Sequence, residues 1–599
     1  MTDTQTAASP QAQANDEART LGIFMLCLLA VAIGVVAALG AAVFRYMINV
    51  VHNLFFLGTF SLEYDANLHD PASPWGPLII FAPVIGGAIV VWLVRTFAPE
   101  AKGHGVPEVM YAIYHNNGNV RGVVAVVKSI ASAISIGSGA SVGREGPIIQ
   151  IGASFGSTLA RWINLARWQR ITLLSAGAGA GIAATFNTPL GGVMFAVELL
   201  LPEVSNRTFL PVVIATATAT SIGRFMFGLD PAFLVVFSDL PDRAMFNLLD
   251  LGAFALLGVL AGVVAWGFIR ALAWCEDFFP TLPGNAYVQN AIGMLIVGIM
   301  AYAFFLTVGQ MHTAGVGYAT VQSVLNGGIG TFALLAGLMV GKIIATSVSL
   351  GSGASGGVFS PSLFIGATMG AALAALGNML IPLAGFSLVE FAVVGMGAMV
   401  GGATGASMTA IVMIFEMTRD YNVIVPLVLA VAVATGIRRA LIVENIYTIK
   451  LRNRGRPIPT IRHTNMYLVR QVADFMSPAF LVLPVETPIR AALDQMVGAE
   501  ARHIIVSDDG RIAGFARLQP GYAPDRYAHE TLGDIVADDF VIMPKAGILN
   551  TVITRMNQRG RSLAIVVDNP DGGVPRPDDV CGVIDSREIA DAVVSNHYA

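Results

Sequence analysis

Between residues 21 and 445 the chain runs through long apolar stretches with few charges, and the parts on either side are ordinarily polar. The stretches 21–44 (LGIFMLCLLAVAIGVVAALGAAVF), 78–95, 248–269 and 425–437 are apolar almost throughout. About 20 such residues cross a bilayer as a helix, so the pattern predicts a polytopic, all-α membrane domain. Two further runs, 148–160 and 361–380, are interrupted by Gly and Pro. They predict half-helices or re-entrant segments, which are tolerated only inside protein or beside a cavity. Past residue 451 the period changes, and apolar 3–4 spacing alternates with short Val/Ile runs in two similar units. Each unit is expected to run helix, strand, helix, strand, strand. The domains expected are a disordered tail (1–20), a membrane domain (21–450), a linker (451–469) and two α/β units (470–520 and 530–597).

The membrane region repeats itself. KSIASAISIGSGASVGREGP (128–147) and KIIATSVSLGSGASGGVFSP (342–361) align at a constant offset of 214, and PIIQIGASFG (147–156) continues into PSLFIGATMG (361–370). At an offset of 218, GAGAGIAATFNTPLGGVMFAVE (177–198) matches GMGAMVGGATGASMTAIVMIFE (395–416), so that Glu198 pairs with Glu416. Two halves built alike indicate a transporter whose site lies where broken helices of the halves meet.

Pro147 and Pro361 suit the first turn of a helix, where a missing N–H costs nothing. The unpaired amides and dipole of a helix start attract an anion without any buried Lys or Arg, and hold it weakly enough to leave. Only the first copy places an acid there. Where it has Arg144 and Glu145, the second has Val358 and Phe359. A carboxylate at membrane depth is a functional candidate by default. Among those amides Glu145 would act as a tethered competitor for the anion, released when a proton removes its charge.

These residues resemble the CLC family of chloride channels and chloride/proton antiporters. GHGVP (103–107) is similar to the family's GSGIP, GREGP (143–147) is identical to its gating motif, GVFSP (357–361) fits GxFxP, and Tyr447 matches the tyrosine that closes the inner pore. The resemblance implies a homodimer with one pore per subunit, each built from two inverted halves. It places the amides of Val358 and Phe359 and the hydroxyl of Tyr447 around a central chloride. Glu145 would be the external gate, and the amides of Arg144, Glu145 and Gly146 would line the outer site. His104 and Gly105 would stand in the first anion-binding segment.

Two departures matter. His104 replaces a serine and brings an imidazole that titrates near neutrality, leaving anion selectivity open. Proton-coupled members carry two adjacent glutamates where this chain has Glu198 and Leu199. The proton route would run through Glu145, Glu198 and position 199, and leucine cannot exchange a proton. The sequence therefore favours a gated passive chloride channel over a chloride/proton antiporter, with a cation-coupled symporter using Glu198 and Glu416 as a remote alternative.

The basic segment after Leu451 favours the cytoplasmic side. The two α/β units resemble a tandem of cystathionine-β-synthase-type (CBS) domains, which often bind adenine nucleotides through GxxTxxD. Here the motif is degenerate: GVIDSRE places Asp585 and Glu588, and GFARLQP places Arg517 and Pro520. A structural role is favoured, with a nucleotide as the weaker expectation. The stretch 569–580 is expected to be a surface loop.

Composition narrows the choice further. The 599 residues are 55% hydrophobic and 12% charged, against roughly 25% charged in a soluble domain. Mean hydropathy is +0.68. A net charge of −4 argues against nucleic acid as a partner. Cys27, Cys275 and Cys581 stand far apart without metal-ligand spacing, and no catalytic constellation is evident, so neither a metal, a required cofactor nor an enzyme is expected. The expected partners are chloride or a similar anion, the lipid bilayer and a second copy.

Overall fold

The apolar stretches fold as helices that end at glycine, proline and asparagine. The computed structural model describes residues 19–235, 248–458, 470–518, 530–569 and 574–598. Residues 1–18 of the expected tail, 459–469 of the linker, Pro520, and 570–573 of the expected loop lie outside them. The chain divides at Ile458/Pro459 into two compact units.

In the first unit the helices are α1 (Ile23–His52), α2 (Ala82–Phe97), α3 (Val106–His115), α4 (Gly122–Gly137), α5 (Glu145–Trp162), α6 (Arg167–Phe186), α7 (Pro189–Phe195), α8 (Asn206–Phe227) and α9 (Leu248–Phe278). They continue with α10 (Ala286–Val308), α11 (Tyr318–Leu325), α12 (Phe332–Ser352), α13 (Phe359–Leu380), α14 (Leu388–Thr404), α15 (Ser407–Thr418), α16 (Ile424–Leu441) and α17 (Thr448–Asn453). Among the described residues, eight helical stretches are long and apolar enough to cross a membrane. This is a multi-pass membrane protein. One of the eight is α13, so 361–380 is not the short segment its Gly and Pro suggested. Its glycines serve packing instead. A Cβ on Gly366 would lie 2.3 Å from the Gly395 carbonyl oxygen of α14, and one on Gly152 of α5 would lie 2.1 Å from that of Gly177 in α6. Both helix pairs thus touch backbone to backbone at equivalent positions.

The two hinges are built alike. α4 and α12 stop at Gly137 and Ser352, and the chain reverses through Gly139 (φ 104°) and Gly353 (φ 113°). L-residues with a Cβ rarely adopt that region. Beyond the turns, Gly143 and Gly357 form an antiparallel bridge: the Gly143 amide donates to the Gly357 carbonyl (2.7 Å) and the Gly357 amide to that of Gly143 (2.6 Å). Equivalent residues that pair with each other in antiparallel sense define a two-fold axis between the halves. Other exchanges obey the same axis. The Ser141 amide donates to Ser349 Oγ and the Ser355 amide to Ser135 Oγ, both at 3.1 Å. α5 and α13 therefore start head to head at the bridge and run apart.

The second unit holds two copies of one motif. β1 (Phe480–Pro484) pairs parallel with β2 (His503–Asp508), which pairs antiparallel with β3 (Arg511–Ala516); α18 (Ile489–Gly498) connects the first two. In the second copy β4 (Phe540–Pro544), α19 (Leu549–Arg559), β5 (Leu563–Val567) and β6 (Val580–Ile584) repeat the order, and α20 (Ser586–Tyr598) follows. Ile505 and Phe515 of one copy share a core with Ile565 and Val583 of the other. The helix expected at the head of each copy is a single tight turn, Val472–Asp474 and Leu532–Asp534. Pro478 bars a longer helix in the first, and in the second the Asp534 carboxylate folds back onto the Thr531 amide.

Candidate functional site

The site forms where α5 and α13 begin. Glu145, the first residue of α5, is 1% exposed. Its carboxylate reaches across the bridge to the start of α13, where Oε2 accepts the Ser360 amide at 3.2 Å. Oε1 accepts the Tyr318 hydroxyl at 2.5 Å and also the Ser360 hydroxyl. The two hydroxyl oxygens lie 2.8 Å apart, clustered on the same carboxylate oxygen. An anionic group belonging to one half is thus seated on the helix start of the other, where free amides and dipole favour negative charge. The approach requires Gly143, since a Cβ there would stand 2.3 Å from Glu145 Oε2. Gly146 is equally close-set, with its notional Cβ 3.0 Å from Gly357 Cα.

Arg144 is the residue before α5, and its guanidinium lies 4.9 Å from the centre of the Tyr318 ring and 5.9 Å from that of Phe186. It also lines an open cavity together with Arg45, His52, Asp70, His312 and Tyr318. This cavity gives the side of the site next to Glu145 a cationic wall.

On the α13 side, Val358 precedes the helix and Phe359 opens it, both buried. Their amides belong to the first turn, which has no earlier carbonyl to bond. Tyr447 is buried just before α17, its amide held by Asn445 Oδ1 at 2.9 Å. Its ring centre lies 6.2 Å from that of His104. His104 is 1% exposed, and neither ring nitrogen has a hydrogen-bond partner among the described residues. Gly105 precedes α3 and packs on Gly146, its notional Cβ 2.7 Å from the Gly146 carbonyl oxygen.

The site was expected to lack buried cations, yet Lys128 and Lys342 are fully buried beside it. Lys128 Nζ donates to the carbonyls of Ala101 (3.0 Å) and Gly103 (2.5 Å) ahead of α3, and Lys342 Nζ to those of Thr313 (3.3 Å) and Gly315 (2.9 Å) ahead of α11. Spent on carbonyls, these ammoniums hold the two short helices in place. Sequence reading missed them, and Tyr318 and Ser360 with them. A lysine at the same place in both apolar repeats was the available signal.

Glu198 and Glu416 exchange roles. Glu198 accepts the amides of Met408 (3.2 Å) and Thr409 (2.8 Å) and the Thr409 hydroxyl (2.8 Å) at the start of α15. Glu416 accepts those of Leu190 (3.0 Å) and Gly191 (2.7 Å) at the start of α7. Each caps the other half's helix, which leaves neither as an open cation ligand. Leu199 is 2% exposed and apolar.

In the second unit, Asp585 Oδ1 accepts the Arg587 amide at 2.6 Å, and Glu588 Oε2 accepts the Asp585 amide at 3.0 Å. His503 Nε2 lies 3.4 Å from Asp585 Oδ2. Burial pushes the His503 imidazole below its ordinary value, with Asp585 opposing. Arg517 pairs with Asp539 at 3.2 Å and with the Ser562 hydroxyl. The two acids at the degenerate nucleotide motif are thus engaged in starting α20 and holding His503.

Two halves related by a two-fold axis, with opposed helix starts and an acid seated between them, define a membrane protein of the ion-conducting, inverted-repeat class. The family model described as voltage gated chloride channel matches residues 86–439, more than half of the chain, and a CBS domain model matches residues 472–518. The chain belongs to this CLC family. It is similar to the chloride channel protein CLC-f of Arabidopsis thaliana, with 31% identity over 439 residues, 68% of this chain and 53% of that protein. It therefore spans about half the length of that plant relative. It is also similar to the H(+)/Cl(-) exchange transporter ClcA of Vibrio campbellii, with 33% identity over 382 residues, 62% of this chain and 79% of that one. Among solved structures, a slow cyanobacterial Cl-/H+ antiporter matches with TM-score 0.63 and 27% identity, covering 73% of this chain and 99% of that one. A CLC-type fluoride/proton antiporter shares the fold, at TM-score 0.58 and 22% identity over 72% of this chain and 98% of that one.

Proposed function

We propose that this protein carries chloride or a similar anion across the membrane in exchange for protons, with Glu145 as the gate. The observation that carries the reading is the Glu145 carboxylate seated on the α13 start by three donors. It occupies the kind of place an anion would take. A proton on Glu145 removes the charge those donors favour and releases the arm, so the same event opens the anion route and moves a proton. Val358, Phe359 and Tyr447 are assigned to a central anion site, and the starts of α3 and α5, with His104, Gly105, Arg144 and Gly146, to its surroundings.

The sequence favoured a passive channel. Exchange is preferred because the ClcA relatives and the cyanobacterial structure are named as proton-coupled. The channel reading retains one observation in its favour, the buried leucine at position 199. A cation-coupled symporter is disfavoured, because Glu198 and Glu416 serve as helix caps. A homodimer follows from the family pattern. The CBS pair is assigned a structural role on the cytoplasmic side, since Asp585 and Glu588 are already engaged.

Reconstitution in liposomes tests the reading. A chloride gradient should drive protons uphill without sodium, and Glu145→Gln should raise chloride flux or abolish its pH dependence and end proton movement. Chloride flux with no proton pumping would return the protein to the channel class, and halide-indifferent flux would remove it from anion transport.

A further inference from the structure

A proton-coupled cycle needs a titratable group that reaches the buried site from the side away from the Arg144 cavity. The position where coupled members carry an acid holds Leu199, and Glu198 is occupied as a cap. His104 has the properties Leu199 lacks. It is buried, both ring nitrogens are without a hydrogen-bond partner, and it stands beside Tyr447. Leaving two imidazole nitrogens unpaired in a protein interior is costly unless something visits them. Its nearest carboxylate is Glu276, in the last turn of α9, with Oε1 3.8 Å from His104 Nε2. The Glu276 side chain is 21% exposed and that of His104 only 1%, so Glu276 is the outer member of the pair. A gap of 3.8 Å is closed by one water or a small rotation.

We propose that Glu276 and His104 form a proton relay serving Glu145, a carboxylate at the water edge passing protons to a buried imidazole. This rests on the exchange reading above. In the inward direction, Glu276 takes a proton from water and gives it to His104 Nε2, returning to carboxylate. The imidazolium then releases its Nδ1 proton to water in the anion route, on its way to Glu145, and the ring is left neutral as the other tautomer. Only O–H and N–H bonds are made and broken, every proton gained is passed on, and the ring must turn so that its bare Nδ1 faces Glu276 before it accepts again. Imidazole suits the step because it accepts on one nitrogen while it donates from the other.

The surrounding charges bear on the traffic. Lys450 of α17 pairs with Glu276 Oε1 at 3.4 Å, and Lys102 also lies within its influence. Burial first, and then Lys450, Lys128 of α4 and Arg454 beyond α17, oppose a lasting positive charge on His104. The ring therefore passes a proton rather than storing it. Glu276 is the only carboxylate recorded within ion-pair distance of the ring among the described residues.

The experiment uses the full chain in liposomes, reading proton and chloride flux together under a chloride gradient. Glu276→Gln should lower the ratio of protons to chloride by about 100-fold or more, the contribution of a positioned proton-transfer group being about 100- to 10,000-fold. Glu276→Asp, which keeps the carboxylate, should restore most of it. If Glu276→Gln does not yield folded protein, His104→Ser puts the family motif's own residue in place and should lower the ratio likewise. A parent that pumps protons alongside a Glu276→Gln variant of unchanged ratio overturns the relay and leaves exchange standing. A parent that pumps none overturns both. Loss of coupling in Glu276→Gln that aspartate does not restore assigns Glu276 a merely structural part and also overturns the relay.

Discussion

Tyr318→Phe removes one hydroxyl, and that hydroxyl is one of three donors on the Glu145 carboxylate. It lies 2.5 Å from Oε1. A hydrogen bond to a charged group contributes about 1.5–3 kcal/mol. At about 1.4 kcal/mol per factor of ten, its loss shifts the balance between seated and released carboxylate by about 10- to 150-fold. The ring itself should stay in place. Arg144 covers its face at 4.9 Å, and Phe233 meets it edge-on at 5.3 Å. The Ser360 amide and hydroxyl still donate to Glu145, so the arm keeps two of its three donors and the lower end of the range is expected. The assay is chloride efflux from liposomes at neutral and at acid pH. Flux at neutral pH should rise toward the acid level, and the ratio between the two should shrink. A variant with parental flux at both pH values, in a preparation where Glu145→Gln raises neutral flux, would refute the claim that these donors hold the gate shut.

Other outcomes follow from the same geometry. Gly143→Ala places a methyl 2.3 Å from the present position of Glu145 Oε2, so the seated arm should be displaced and neutral-pH flux should rise. Unchanged gating would mean that the bridge yields instead. Glu198→Ala removes three acceptor contacts from the α15 start and should cost about 1–2 kcal/mol, seen as a lower melting temperature in detergent, with no change in the proton-to-chloride ratio. A changed ratio at parental stability would put Glu198 on the proton route. In the CBS pair, burial lowers the His503 pKa below 6.5, so its neutral form is favoured in the fold. The stability it lends is complete above about pH 6.5 and is lost as pH falls through the lowered value. Hydrogen exchange on the full-length protein should show β2 and β6 loosening on acidification, and His503→Gln should flatten that dependence.

The sequence exposed the repeat wherever letters were kept. GSGAS recurs unchanged and carries the hinge, and the 214 offset foretells that Gly143 and Gly357 are partners. The third equivalence was hidden. α3 and α11 match at an offset of 212, with Gly103 and Gly105 facing Gly315 and Gly317, but His104 answers to Val316 and Pro107 to Ala319. A drift of two residues and unlike side chains erase the signal, although the lysine beneath each helix survives. Tyr318 was invisible for the same reason, since its chemistry depends on a contact 173 residues away. α13 was underrated because Gly and Pro were read as breaks, when the glycines mark where two backbones touch.

The exchange of partners between halves has a consequence for how the chain is made. On the ribosome, Ser141, Gly143 and Glu198 emerge some 200 residues ahead of Ser349, Gly357 and Thr409, the groups that satisfy them. A nascent first half in the translocon therefore carries bare amides and a lone carboxylate, and it cannot reach its final state by itself. Final packing of the first half therefore waits for the second, and a product truncated before Gly357 lacks the groups that complete it.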